Sequence, residues 1–365
     1  MTYNTVMGLR SACLKRGLNF DDLFNLVPHS TNSTNNRFDA ESISLFLSGK
    51  NKLGPVSFAI LPLEKFHLVR GEKLIGYPAI ETLKLTEMQK TFLSIPDELF
   101  STSKIHQKLY QEAGMKCDHA LLGSYNPTVF YPENEDLRKK KSNKMDPKSK
   151  ETIVFLMVGK YEFRKASIEA IAAFCNFFEN HPLRSRVVLK AKFLSDVYSR
   201  NIVQIKQELQ GLFFKYPKAT QRILLVEDKT TDMTRLYHDA DFLLFPTRGE
   251  GIGLPLIEAL ASGVTPIVTP YTSLPDYANA SNSILLRDLG TEPFIDPFYG
   301  LNELNGGLLG RVTVESVQEA LKAAVSLTPE EKLSKVNLGI EDVKSCSYLN
   351  RGDELFRIFE EASYF

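Results

Sequence analysis

The sequence is poor in cysteine, has no long apolar run and carries no excess of either charge, and each shortage closes off a class of protein. Its cysteines, Cys13, Cys117, Cys175 and Cys346, are four in 365 residues, with no C-x-x-C pair and no histidine at metal-ligand spacing. That excludes a disulfide-stapled scaffold or a zinc module and reads as buried, reduced thiols in a cytoplasmic protein. No apolar run reaches the roughly 18 residues that a spanning helix needs. The opening MTYNTVMGLRSACLKRG lacks the apolar core of a signal peptide. Lysine plus arginine equal aspartate plus glutamate at 44 each. No global field is available to gather nucleic acid.

What is present is a chain of 43% hydrophobic content whose length suits two domains. From Ile153 onward, the runs IVFLMV, RVVLKAKF, RILLVED, DFLLFP, TPIVTP and NSILLRD alternate with segments of helical spacing. Such alternation predicts an α/β fold with a parallel, doubly wound sheet. At its centre lies Phe242 to Gly263, FLLFPTRGEGIGLPLIEALASG. A strand breaks at Pro246, a Gly-rich turn spans Thr247 to Gly253, and a helix follows with Pro255 in its first turn and Gly263 at its end. In an open α/β sheet ligands bind outside the carboxyl ends of the strands, where a helix N-terminus offers N–H groups and partial positive charge to a phosphate.

Two carboxylates sharpen that reading. Glu258 falls in the second turn of a helix that is apolar nearly all round, so it is expected to be buried and to need a donor. Hydroxyls of a bound sugar would serve, as would neighbouring backbone or an arginine. Glu250 lies in the turn itself among Gly249, Gly251 and Gly253, whose missing Cβ atoms either admit a ligand close to the backbone or serve only the turn.

The segment PTRGEGIGLPLIEALASG resembles the signature P-S-x-x-E-G-F-G-L-P-x-x-E-A-M-A-x-G of the retaining, nucleotide-sugar-dependent glycosyltransferases of family 4, the glycosyl transferases group 1. The likeness continues upstream in TRLYHDADFLLFPT and downstream in VTPIVTPYTSLPDY, where Ser273 stands at a usual glycine. GKYEFRKASIEAI is similar to the family's V-G-R-x-x-x-x-K-G, with Lys160 at the arginine position and Lys165 at the lysine. The resemblance implies a GT-B fold, two Rossmann-like domains facing across a cleft. It gives Glu250 the hydroxyls of the transferred sugar and Glu258 the ribose hydroxyls of the nucleotide. The backbone N–H groups of Gly251, Ile252, Gly253 and Leu254 would face the sugar and diphosphate. Lys160 and Lys165 would neutralise the diphosphate as it leaves. The strand Arg222 to Asp228 would line the base pocket through its backbone. A nucleotide-diphosphate sugar is the implied co-substrate, with no other cofactor and no metal.

The first half resembles the family less densely. Asn4 to Arg16 has helical spacing with Gly17 as its stop and is similar to the first helix of the GT-B N-terminal domain. The strand and Gly-rich loop that normally precede it are not in the sequence, so the expectation is either a domain that starts without that strand or a chain that has been shortened. The polar run His29 to Arg37 reads as an exposed loop with His29 facing solvent. VSFAILPL and KLIGYPAI are strand-like, DELFSTS less so, and Ser103 to Gly114 reads as a capped helix. GYPAIETLKL and PDELFSTS match further family stretches loosely. Glu81 there is either an acceptor-binding carboxylate or a glutamate that starts a helix. The run RKKKSNKMDPKSK, Arg138 to Lys150, holds seven basic groups and one acidic and reads as an exposed linker. Its alternative role is a peripheral contact with anionic lipid headgroups.

The expected organisation is an acceptor-side domain over 1–137, the linker at 138–150, a nucleotide-sugar domain over 151–340, and 341–365 crossing back through Leu355, Ile358 and Phe359. The expected activity is retaining sugar transfer to a glycan, lipid-linked or protein acceptor in polysaccharide, lipopolysaccharide or other glycoconjugate synthesis. Two competitors remain: a nucleotide-sugar epimerase of the same fold and a non-catalytic sugar-nucleotide binder or partner subunit.

Overall fold

The computed structural model describes residues 2–28, 43–47, 56–61, 63–69, 72–193, 202–226, 232–294 and 306–364. Internal contacts divide the chain into two compact units, one of Met1–Asn126, Tyr299–Leu308 and Ser345–Phe365, the other of Pro127–Phe298 and Leu309–Lys344. His29 and the polar run after it lie outside the described residues.

In the first unit the sheet follows the order β1 (Phe24–Pro28), β2 (Ile43–Leu47), β3 (Val56–Ile60), β4 (Lys73–Gly76), β5 (Glu98–Ser101), β6 (His119–Ala120). The β1–β2–β3 pairings are antiparallel and those from β3 to β6 parallel. Alternate strand residues serve opposite faces, as the pleat requires. Phe58, Ile75 and Phe100 join Leu9 and Cys13 of the helix Thr2–Lys15 with Leu355, Phe356 and Phe359 of Tyr348–Glu361. Ala59, Leu74 and Leu99 join Phe66, Leu93, Tyr110 and Cys117. The expected helices near Asn4 and Ser103 are present, the second as Lys104–Glu112 with Ser103 accepting from the His106 N–H. Glu81 does not start a helix: Thr86 caps Glu87–Leu93 six residues further on.

The second unit's sheet contains all six runs expected to be strands: β7 (Ile153–Gly159), β8 (Val187–Phe193), β9 (Ile223–Val226), β10 (Phe242–Phe245), β11 (Thr265–Val268) and β12 (Ile284–Leu285). Their order is β12-β11-β10-β7-β8-β9, and every pairing is parallel. A parallel sheet must be covered on both faces. Ser167–Asn180 and Val314–Val325 pack Phe174, Phe177, Val317 and Leu321 against Phe155, Leu189, Phe242 and Ile267. Leu254–Ala261 packs against Pro329–Val343, so closely that a Cβ on Gly339 would lie 2.7 Å from Leu260 Cδ2.

The basic run keeps Lys139, Lys140, Lys148 and Lys150 exposed, yet it is not without structure. Much of it forms the helix Glu135–Ser142 and the turn Asn143–Met145, within the second unit. Asn134 caps this helix, Glu135 and Asp136 sit in its first turn and three lysines in its last, the polarity that a helix dipole favours. Lys144 pairs with buried Asp241 at 3.1 Å, Lys141 with Glu133 at 2.6 Å, and Met145 enters the core. Among the described residues no helix is long and apolar enough to cross a membrane.

Candidate functional site

The turn after β10 is anchored from three sides. The Arg248 N–H donates to the Arg164 carbonyl at 2.7 Å, the Gly310 N–H to the Arg248 carbonyl at 2.8 Å, and the Glu250 N–H to Thr272 Oγ1 at 2.7 Å. Thr247 Oγ1 stands 3.2 Å from the Arg164 carbonyl and 3.1 Å from the Gly249 carbonyl, both within reach of its one hydroxyl hydrogen. The turn ends on Gly253 at φ +80°, the N-cap of Leu254–Ala261. Only glycine suits this position, since a Cβ would be strained there and would meet Leu274 Cδ2 at 2.7 Å. Gly251, Ile252 and Gly253 are buried and Leu254 half-buried. At this helix start the first-turn amides have no acceptor within the helix itself.

Glu250 is 5% exposed and is held by two cations. Lys165 Nζ stands 2.5 Å and Arg164 Nη1 3.0 Å from its Oε1. Burial pushes the carboxyl up, but the charges of Lys165 and Arg164, with hydrogen bonds from Lys165 and Thr247, outweigh it and hold Glu250 below the usual carboxylate range. Both cations come from the single 3₁₀ turn Phe163–Lys165. It ends on Ala166 at φ +51°, which starts the next helix in the left-handed conformation. Lys160 lies just beyond β7 and lines one small pocket with Lys165, Ser167, Phe193 and Phe245. The structure therefore brings Glu250, Lys160, Lys165 and the helix start together at the carboxyl edge of one sheet.

Glu258 is satisfied separately. It keeps some accessible surface, yet burial raises its carboxyl to about 7, with the Tyr237 hydroxyl at 2.8 Å pulling the other way. Its donor within the chain is thus a tyrosine rather than the backbone or the arginine anticipated. The strand expected at Arg222 to Asp228 is described over Ile223–Val226, and Asp228 lies outside the described residues.

Besides Tyr237, two further residues escape sequence reasoning. Arg164, 8% exposed, also donates to the Gly249 carbonyl at 2.6 Å. Arg248, 3% exposed, binds Glu169 and Glu292 at 2.8 Å each, donates to the Phe163 carbonyl and covers the Phe163 ring. Adjacent side chains converge on one carboxylate only because the tight turn breaks strand and helix periodicity, so no spacing announces Arg164.

Residues 138–286 match the family model described as glycosyl transferases group 1. Among solved structures, the chain is similar to sucrose-phosphate synthase from Thermosynechococcus elongatus at 15% identity, covering 85% of this chain and 74% of that one with a TM-score of 0.60. It is also similar to α,α-trehalose 6-phosphate synthase from Burkholderia multivorans at 11% identity, over 82% of this chain and 70% of that one, TM-score 0.58. A third likeness, at 13% identity and TM-score 0.53, is to the pneumococcal O-GlcNAc transferase GtfA in complex with UDP and GlcNAc, over 80% of this chain and 53% of that one. At identities this low the likeness shows the fold alone, which is GT-B. No curated protein matches the sequence.

Proposed function

We propose, from the premise that this chain carries a glycosyl transferases group 1 domain at residues 138–286 on a GT-B fold, that it is a retaining glycosyltransferase using a nucleotide-diphosphate sugar. The observation that carries this reading is Glu250 with Lys165 at 2.5 Å, beside the start of Leu254–Ala261 and at the carboxyl end of the sheet. Glu250 accepts hydrogen bonds from the sugar's hydroxyls and Glu258 from the ribose. The helix start and the ammonium groups of Lys160 and Lys165 face the diphosphate. As the bond between the anomeric carbon and the phosphate oxygen breaks, negative charge grows where these donors point, the situation in which fixed dipoles and cations contribute most. The acceptor hydroxyl bonds to the anomeric carbon on the face that the phosphate vacates, and its proton passes to that phosphate. Positioning and charge stabilisation supply the rate, without a protein nucleophile. No metal enters this reading.

Assay with UDP-, GDP- and ADP-sugars tests it. Turnover that keeps the donor's anomeric configuration supports the proposal, while an inverted product sinks its retaining part. Tight binding without turnover would instead mark a sugar-nucleotide binder, and an epimerised donor an epimerase.

A further inference from the structure

Lys165 has two competing tasks. Its ammonium pairs with Glu250, yet in the proposed function it also faces the donor's diphosphate. Were it the sole cation on Glu250, its move toward phosphate would leave a buried carboxylate without counter-charge, which is costly. Arg164 removes the conflict. Its Nη1 reaches the same Oε1 at 3.0 Å and the Gly249 carbonyl at 2.6 Å, while its own carbonyl accepts from the Arg248 N–H at 2.7 Å. Both contacts are made by the one nitrogen, Nη1, whose two N–H directions are fixed by the planar guanidinium, unlike those of a freely rotating ammonium. We propose that Arg164 is a positioning residue of the donor site: it fixes Glu250 and its turn by itself, and so frees the Lys165 ammonium for the diphosphate. This rests on the donor-site reading above.

The test compares wild type, R164K and R164M by pH–rate profile, with whichever UDP-, GDP- or ADP-sugar turns over, and by carbon NMR titration of the Glu250 carboxyl. In R164M, kcat/KM should fall by about ten- to a hundredfold, the loss expected of a misplaced group. The acid limb of the profile and the carboxyl titration should both move up by about one pH unit, because one of two opposite charges is gone. R164K keeps the charge, so its limb should stay near that of wild type while part of the rate remains lost. A folded R164M with both titrations unmoved overturns the inference. If R164M does not fold, R164K decides: a lowered rate with an unmoved limb supports the proposal, and a wild-type rate overturns it. The NMR titration needs no substrate. Absence of turnover with every donor therefore counts against the transferase reading alone, and an unmoved carboxyl counts against Arg164 alone.

Discussion

Glu250 sits where two demands meet, because a carboxylate this buried is tolerated only beside its cations and is useful only if it stays ionised. Glu250→Gln keeps the shape and removes the charge, and Lys165→Met removes the nearer cation; each should lower transfer by about a hundredfold or more, the loss of one preorganised electrostatic group. Initial rates with the active donor measure this, and near-wild-type rates in both variants would refute the assignment. Gly253 is a structural counterpart. Gly253→Ala would force a Cβ into φ +80° and within 2.7 Å of Leu274. Left-handed strain for an L-residue costs about 1–2 kcal/mol, and the overlap adds to it. Urea unfolding should show a loss of roughly 2 kcal/mol or more, whereas an unchanged midpoint would mean that the turn relaxes freely.

Elements differ in how openly the chain announces them. The central strands Ile153–Gly159, Phe242–Phe245 and Thr265–Val268 are legible because buried parallel strands are nearly continuous apolar runs, whereas Val187–Phe193 is interrupted by Lys190 and Lys192 and Ile223–Val226 is only partly buried. Pro329–Val343 is not legible from spacing. Its buried positions, Lys332, Val336, Gly339 and Val343, follow helical intervals, but lysine and glycine at two of them erase the apolar period. The basic run hides its helix because its composition suggests only a solvated linker: four of its lysines are exposed, while capping by Asn134 and pairing of Lys144 with Asp241 order the segment. At the site, Glu250, Lys165 and Glu258 are legible from motif spacing; Arg164 and Tyr237 depend on tertiary approach. The contact between Thr2–Lys15 and Tyr348–Glu361 is likewise only half visible. Leu355, Ile358 and Phe359 are readable as a docking face, yet the fit depends on two glycines. A Cβ on Gly352 would lie 2.0 Å from the Gly8 carbonyl carbon. Gly352→Ala should separate these helices and cost about 1–3 kcal/mol, the usual range for overpacking. Thermal unfolding checks this, and a melting temperature equal to that of wild type would contradict the close approach.

At the scale of the whole molecule, two buried ionisable groups of the second unit give stability a predictable dependence on pH. Burial raises the Glu258 carboxyl to about 7, from an ordinary value of 4.5. The native state therefore keeps a proton that the unfolded chain releases, so this contribution is complete below 4.5 and is lost as pH rises to 7. Lys332 is the reverse case. Burial, reinforced by Lys141, Lys144 and Lys335 against the attraction of Asp241, lowers its ammonium from 10.5 to about 7. Here the unfolded chain holds the extra proton, so stability rises from pH 7 toward 10.5. A tenfold difference in proton affinity between folded and unfolded chain is worth roughly 1.4 kcal/mol, so each group contributes at most a few kcal/mol. His106 of the first unit opposes Glu258: burial lowers its imidazole from 6.5 to about 4, so stability rises over nearly the same acid range in which the Glu258 contribution falls. Denaturation midpoints should therefore stay nearly level from about pH 5 to 7 and rise toward about pH 9 as Lys332 takes effect. Glu258→Gln should leave the His106 slope unopposed, so that stability climbs from about pH 5 to 7, and Lys332→Met should flatten the alkaline side. Variants with the same profile as wild type would show that Glu258 and Lys332 titrate in the folded protein as they do in water.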